Sequence, residues 1–181
     1  MTPERTVRIL LIEDDPDYAM LMGVYVNEAC GERLRYALRG AERLEEGLSL
    51  VGREEFDIAL LDLVLPDSRG LETLTRLRAK APDLPVVVLT NLDQEEIGLE
   101  AIAGGAQDFL PKNKVDAGRL RHSIAFALAR DRLHRQLESL IEGSPDGMLV
   151  VDRDRGVRYA NAAALDLLAK SRDELVGRPT T

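Results

Sequence analysis

Four apolar runs in this 181-residue chain each lead into residues able to do polar chemistry. Glu13, Asp14 and Asp15 follow Val7–Ile12, and Asp62 follows Phe56–Leu61. Thr90 follows Val86–Leu89, and Lys112 comes just after Asp108–Leu110. If the runs are parallel strands of one sheet, these side chains collect at its carboxyl edge, where open parallel sheets keep their functional crevice. Carboxylates gathered there repel and raise one another's pKa values unless a cation intervenes. A hard divalent ion with oxygen ligands answers that need, and Mg²⁺ keeps water and phosphate oxygens in its shell. A hydroxyl and an ammonium opposite the carboxylates can hold the other oxygens of a tetrahedral anion. The composite is a phosphoryl-transfer site with a carboxylate nucleophile. Asp15 stands apart: directly before Pro16, it reads as a helix N-cap with proline at the first helical position.

The elements needed to position such a site are legible in the pattern. Asp17–Cys30 carries Met20, Leu21, Val24 and Glu28 at helical spacing, and Leu34–Leu38 reads as a weaker strand. A helix around Ala41–Gly52 places Leu44, Leu48 and Val51 on one face, and Gly70–Ala81 turns Leu71, Leu74 and Leu77 inward. A further helix near Gln94–Ala103 ends at the Gly104-Gly105 pair, and a long one opens near Val115. Strands that alternate with helices imply a parallel sheet covered on both faces. The fold class is therefore α/β, with a doubly wound five-stranded sheet as the commonest topology.

Composition narrows the function classes. Apolar residues make up 45% and charged residues 31%, which is globular rather than disordered or fibrous. The 24 basic against 32 acidic residues give a net charge of −8, which argues against bulk nucleic-acid binding. Cys30 is the single cysteine, so an internal disulfide and a Cys₄ or Cys₂His₂ zinc site are impossible. No apolar run reaches the roughly 18 residues of a membrane span, and Met1–Arg8 lacks a signal-peptide core. The expectation is a cytoplasmic protein.

The last helix outruns the domain it should close. Leu133, Leu137 and Leu140 continue its apolar recurrence, and five arginines face four acids between Asp116 and Glu142. A mixed-charge helix of that length suggests a connector able to pair as a coiled coil. Gly143–Gly147 then breaks it. Met148–Val151 and Val157–Ala160 read as a hairpin, and Ala162–Ala169 as a helix. That unit buries little, since three or more strands are usually needed for independent stability.

At this point four motifs are recognisable together. Ile9-Leu-Leu-Ile-Glu-Asp-Asp-Pro16, Leu60-Leu-Asp-Leu-Val-Leu-Pro-Asp67 with Gly70, Val86-Val-Val-Leu-Thr90 and Gly105-Ala-Gln-Asp-Phe-Leu-Pro-Lys112 resemble the receiver domain of bacterial two-component response regulators, over roughly Val7–Leu128. The resemblance implies a flavodoxin-like fold and a phosphoryl group passed from a partner histidine kinase or phosphotransfer protein to Asp62. It implies Mg²⁺ held by Glu13, Asp14, Asp62 and the Val64 backbone carbonyl. Thr90 and Lys112 would hold phosphoryl oxygens, with Thr90 and Phe109 as switch residues. Three positions depart from the pattern. Asn113 replaces the usual proline after Lys112, and a cis bond there would cost about 3 kcal/mol, so a trans bond or reshaped loop is expected. Asn91 stands where Ala or Ser is preferred, and Phe109 lacks the hydroxyl of the common Tyr.

The tail Ser144–Asp152, Val157–Asn161 and Asp173–Gly177 resembles the first part of a PAS sensor domain, which implies a partial α+β segment. Gly143–Thr181 contains no His or Cys able to ligate haem or form a flavin adduct. The expected division is a receiver over 1–128, a helical connector over 129–142 with homodimer potential, and an incomplete PAS domain over 143–181. The chain itself is expected not to be an enzyme. The alternative is the N-terminal part of a hybrid sensor histidine kinase or nucleotide cyclase whose output follows Thr181. A haloacid-dehalogenase type of phosphatase would carry a second Asp two residues after Asp62, where Val64 stands. His122 and His134 lack the acid-and-proline context of a kinase phosphohistidine.

Overall fold

The structure is a computed structural model, describing residues 5–29, 34–91, 95–153 and 156–176. Cys30, Gln94 and Gly177 lie outside the described residues. The chain divides into two compact units, residues 1–130 and 131–181.

The first unit alternates strand and helix: β1 (Arg5–Ile12), α1 (Pro16–Ala29), β2 (Leu34–Ala41), α2 (Leu44–Val51) and β3 (Ile58–Asp62). A short antiparallel ribbon follows, β4 (Val64–Leu65) with β5 (Ser68–Arg69), before α3 (Leu71–Lys80). Then come β6 (Val86–Thr90), α4 (Glu95–Ala103), β7 (Asp108–Pro111) and the first half of α5 (Ala117–Glu142). The main sheet has five strands in the order β2-β1-β3-β6-β7, and each neighbouring pair is parallel. This is the flavodoxin-like doubly wound order that the receiver resemblance implies; βα alternation alone does not select it over other doubly wound orders. Strands buried on both faces need continuous apolar runs, and every residue of β3 and β6 is buried. One core layer gathers Ile9, Leu11, Met22, Val26, Leu60, Leu89 and Ile124, and the other gathers Leu10, Ile12, Leu44, Leu61, Leu74, Leu77 and Val88.

Several boundaries shift for physical reasons. The second strand runs to Ala41 rather than Leu38, because all eight of its residues pair with β1, which delays α2 to Leu44. Leu44 is buried there, while Leu48 and Val51 are only partly buried. In α1 the helical series Met20, Leu21 and Val24 is exposed, and Met22, Val26 and Ala29 form the buried face instead. Both sets share helical spacing, so periodicity alone does not choose between them. The β4–β5 ribbon is not announced by the alternation. It ends at Gly70, whose φ of 66° and ψ of −151° suit glycine alone.

The second unit holds the remainder of α5, then β8 (Leu149–Val151) paired antiparallel with β9 (Val157–Ala160), α6 (Ala162–Leu168) and α7 (Arg172–Leu175). The expected hairpin and helix are present. Val157 and Val176 also form an isolated parallel bridge. Among the described residues no helix is long and apolar enough to cross a membrane.

Candidate functional site

Register explains why the chemistry collects in one place. Ile12 pairs with Leu61, so Glu13 and Asp62 each sit one residue past the same rung. Asp62 pairs with Leu89, and Thr90 pairs with Pro111, so Thr90 and Lys112 emerge beside them at the carboxyl edge. A cleft of about 510 Å³ opens there, lined by Glu13, Asp14, Tyr18, Asp62, Val64 and Lys112 among others, with Asn91 and Asn113 on its wall.

Glu13 is 2% and Asp62 3% exposed, while Asp14 is exposed. One carboxylate oxygen from each of the three lies within 4.8 Å of the others. Lys112 Nζ stands 2.7 Å from a Glu13 oxygen and 2.7 Å from Asp62 Oδ2. The Val64 backbone N–H donates to Asp62 Oδ1 at 3.0 Å. Burial pushes the Glu13 carboxyl above its ordinary range; neighbouring Asp62 pushes the same way, and the hydrogen bond from Lys112 offsets only part of this. Burial also disfavours charged Lys112, yet its hydrogen bonds to Asp62 and Glu13 prevail and hold its pKa above the usual lysine range. One ammonium facing three carboxylates leaves a negative surplus. The oxygen-only donor set, at these separations, fits a hard divalent cation of the Mg²⁺ type.

Thr90 Oγ1 is buried and has no hydrogen-bond partner among the described residues. A buried, unpaired hydroxyl is costly, and a strand-end hydroxyl kept in that state suits a ligand oxygen. Phe109 is placed differently. It is partly buried against the α3–α4 side of the core, and a Cβ on Gly98 would fall 2.5 Å from its ring. The glycine in α4 therefore forms the ring's cradle. Asn113 follows Lys112 in a single 3-10 turn over Lys112–Lys114, and the described residues contain no cis peptide bond. The expected trans bond at that departure from the family pattern is thus present.

Asp15 caps α1 as expected, accepting from the Asp17 N–H at 2.9 Å and the Tyr18 N–H at 3.2 Å. Two participants are not foreseen from the sequence. The Tyr18 ring centroid lies 4.7 Å from Lys112 Nζ. Asp67 caps α2 from a distant loop, accepting from the Leu44 N–H at 2.9 Å and the Glu45 N–H at 3.0 Å. Only the aromatic in the first turn after Asp15-Pro16 hints at the former; nothing local hints at the latter, which joins residues over 20 apart. His122 and His134 are exposed on α5, and His134 pairs with Glu138 at 3.1 Å.

Comparison with known proteins agrees with this geometry. Residues 9–125 match the model of the response regulator receiver domain, and residues 135–181 match that of the PAS fold. Response regulator protein PilR of Pseudomonas aeruginosa is 34% identical over 121 residues, 67% of this chain and 26% of PilR. A cyclic di-GMP phosphodiesterase of Thermotoga maritima is 29% identical over 145 residues, 80% of this chain and 37% of its own. The chain thus spans only 26–37% of these relatives' lengths. Among solved structures, NtrX from Brucella abortus aligns with a TM-score of 0.67 at 25% identity, covering 83% of this chain and 32% of NtrX. With a family match over well above half its length, the chain belongs to the response regulator receiver domain family, its receiver followed by a PAS fold.

Proposed function

We propose that Asp62 accepts a phosphoryl group from the phosphohistidine of a partner histidine kinase or phosphotransfer protein, and that Mg²⁺ is required. The observation that carries this reading is the buried Glu13–Asp62–Lys112 cluster at the carboxyl edge of the sheet. An Asp62 carboxylate oxygen attacks phosphorus; the new O–P bond forms as the P–N bond breaks, and the imidazole, already protonated on its other ring nitrogen, leaves as the neutral ring. Glu13, Asp14, Asp62 and the Val64 carbonyl would hold the metal, which when bound offsets the negative charge of both nucleophile and phosphoryl group. Lys112 and Thr90 receive the phosphoryl oxygens, the latter with its otherwise unpaired hydroxyl. Phosphorylation biases Thr90 and Phe109, and the relay runs through α5 toward the PAS region. The protein works in the cytoplasm, without nucleic-acid or membrane binding by this chain.

Incubation with acetyl phosphate and Mg²⁺, followed by intact-mass measurement, tests the proposal. The expected result is gain of one phosphoryl mass, abolished by chelator and by Asp62→Asn. Labelling that survives either change contradicts it.

We also propose that two copies of the chain pair through the connector helix. Leu133, Leu137 and Leu140 are exposed along one stretch of α5, the arrangement a paired connector helix buries. Light scattering at tens of micromolar is expected to give a dimer mass that Leu133→Glu with Leu137→Glu halves. A monomer at that concentration, with or without phosphodonor, overturns the dimer.

A further inference from the structure

Lys112 is the only cationic side chain on the wall of the cleft among the described residues. Its side chain is 15% exposed, and its ammonium is held by two kinds of partner. The first are the Glu13 and Asp62 carboxylates, each at 2.7 Å. Both belong to the cluster suited to a divalent ion, and Asp62 also takes the phosphoryl group, so neither contact survives unchanged through the reaction. The second is the face of the Tyr18 ring, 4.7 Å from Nζ. An aromatic face attracts an ammonium through its quadrupole, most strongly where water is excluded.

The ring is also braced. Tyr18 sits in the first turn of α1, fixed by the Asp15 cap, and packs against the core layer of Ile9, Leu11 and Met22. Its hydroxyl is buried without a hydrogen-bond partner among the described residues. The part of the residue that meets Lys112 is its ring face.

We propose that Tyr18 is a positioning residue for phosphoryl transfer, its ring holding the Lys112 ammonium inside the cleft while the carboxylate contacts are exchanged for metal and phosphoryl oxygens. The proposal rests on the reading of Asp62 as phosphoacceptor and of Lys112 as a phosphoryl-oxygen ligand. A long, flexible lysine stem otherwise lets the ammonium follow water out of the cleft as its carboxylate partners turn to the metal.

The test uses the whole 181-residue chain with acetyl phosphate and Mg²⁺, read by intact mass over time. Tyr18→Leu is expected to slow labelling roughly three- to tenfold, the size of a partly desolvated cation–π contact. Tyr18→Phe restores the rate, because it keeps the ring and removes only the unpaired hydroxyl. Titration of Mg²⁺ alone by calorimetry is expected to give the same affinity in wild type and Tyr18→Leu, which a general distortion of the site would not. If Tyr18→Leu fails to fold, Tyr18→Met, with its longer apolar chain, supplies the same comparison. Equal labelling rates in wild type and the ring-less variant overturn the proposal, as does a Tyr18→Phe as slow as Tyr18→Leu or a parallel loss of Mg²⁺ affinity. A wild type that takes up no phosphoryl group overturns the underlying reading of Asp62 instead.

Discussion

Two runs of similar composition meet opposite fates in this chain. Val86–Leu89 in β6 is buried at every residue, whereas Leu149–Val151 in β8 is exposed at every residue. The β6 strand lies between β3 and β7, and helices cover both faces of that sheet; among the described residues β8 has β9 alone beside it. An apolar run states a capacity for burial, and neighbouring elements determine whether it is used. The two units are accordingly held by different forces. Apolar packing in two layers dominates the receiver. Among the described residues of the second unit the best-buried polar side chain is Asn161, at 0% exposure. Its amide donates to the Ile141 and Asp146 carbonyls, each at 2.9 Å. Its oxygen accepts from the Met148 N–H at 2.8 Å and the Ala164 N–H at 3.0 Å. Glu142 adds contacts to the Tyr159 hydroxyl and, at 2.8 Å, to Arg172.

Mutation can break this contrast. Leu60→Ala removes a side chain buried between layers and should cost about 2–5 kcal/mol. Val150→Ala, at a position 54% exposed, should stay within about 0.5 kcal/mol. Urea titration followed by hydrogen exchange, resolved by peptide, reads each unit separately. Similar costs at the two positions would erase the distinction.

Asn161→Ala sharpens it from the other side. The substitution strands two backbone N–H groups and two carbonyls, and each buried group left unpaired costs about 1–3 kcal/mol. Exchange protection at the Met148 and Ala164 amides should fall by at least tenfold while receiver amides keep theirs. Unchanged protection at Met148 and Ala164 would mean that the hydrogen-bond hub does not hold the unit.

A smaller effect belongs to the polar fastening within the receiver. Asp67→Ala removes a helix cap and should cost about 1 kcal/mol near neutral pH. Slight burial opposes the charged Asp67 carboxyl, but the Glu45 and Leu44 N–H groups outweigh it and hold the pKa below the ordinary value of 3.8. Its contribution is present above that unfolded-state value and is lost as pH falls through the lower folded one. The wild-type and Asp67→Ala stabilities should therefore converge in strong acid. A gap independent of pH would locate the effect in lost contacts rather than in the carboxylate.

The same contrast sets how much could be read in advance. Continuous runs such as Ile58-Ala-Leu-Leu61 announce strands buried on both faces, and a parallel register then carries Glu13, Asp62, Thr90 and Lys112 to one edge, so the cluster was legible. The α1 face was not: Met20, Leu21 and Val24 have the same helical spacing as the buried Met22, Val26 and Ala29, and only the sheet beneath selects between them. Asp67 on the α2 amides and Tyr18 under Lys112 are contacts across the fold, invisible to any local pattern. The β4–β5 ribbon escaped because its strands have two residues each, too few for an alternation to register.

The central claim is that a single carboxylate, Asp62, is the nucleophile. Its most direct test is reduction of the acetyl phosphate-treated chain with borohydride, which converts an acyl phosphate into the corresponding alcohol, followed by peptide sequencing in the mass spectrometer. The account predicts homoserine at position 62, dependent on Mg²⁺, with Glu13, Asp14 and Asp67 unchanged. Reduction at one of those other carboxylates, or at none in a chain that carries the phosphoryl mass, would contradict it.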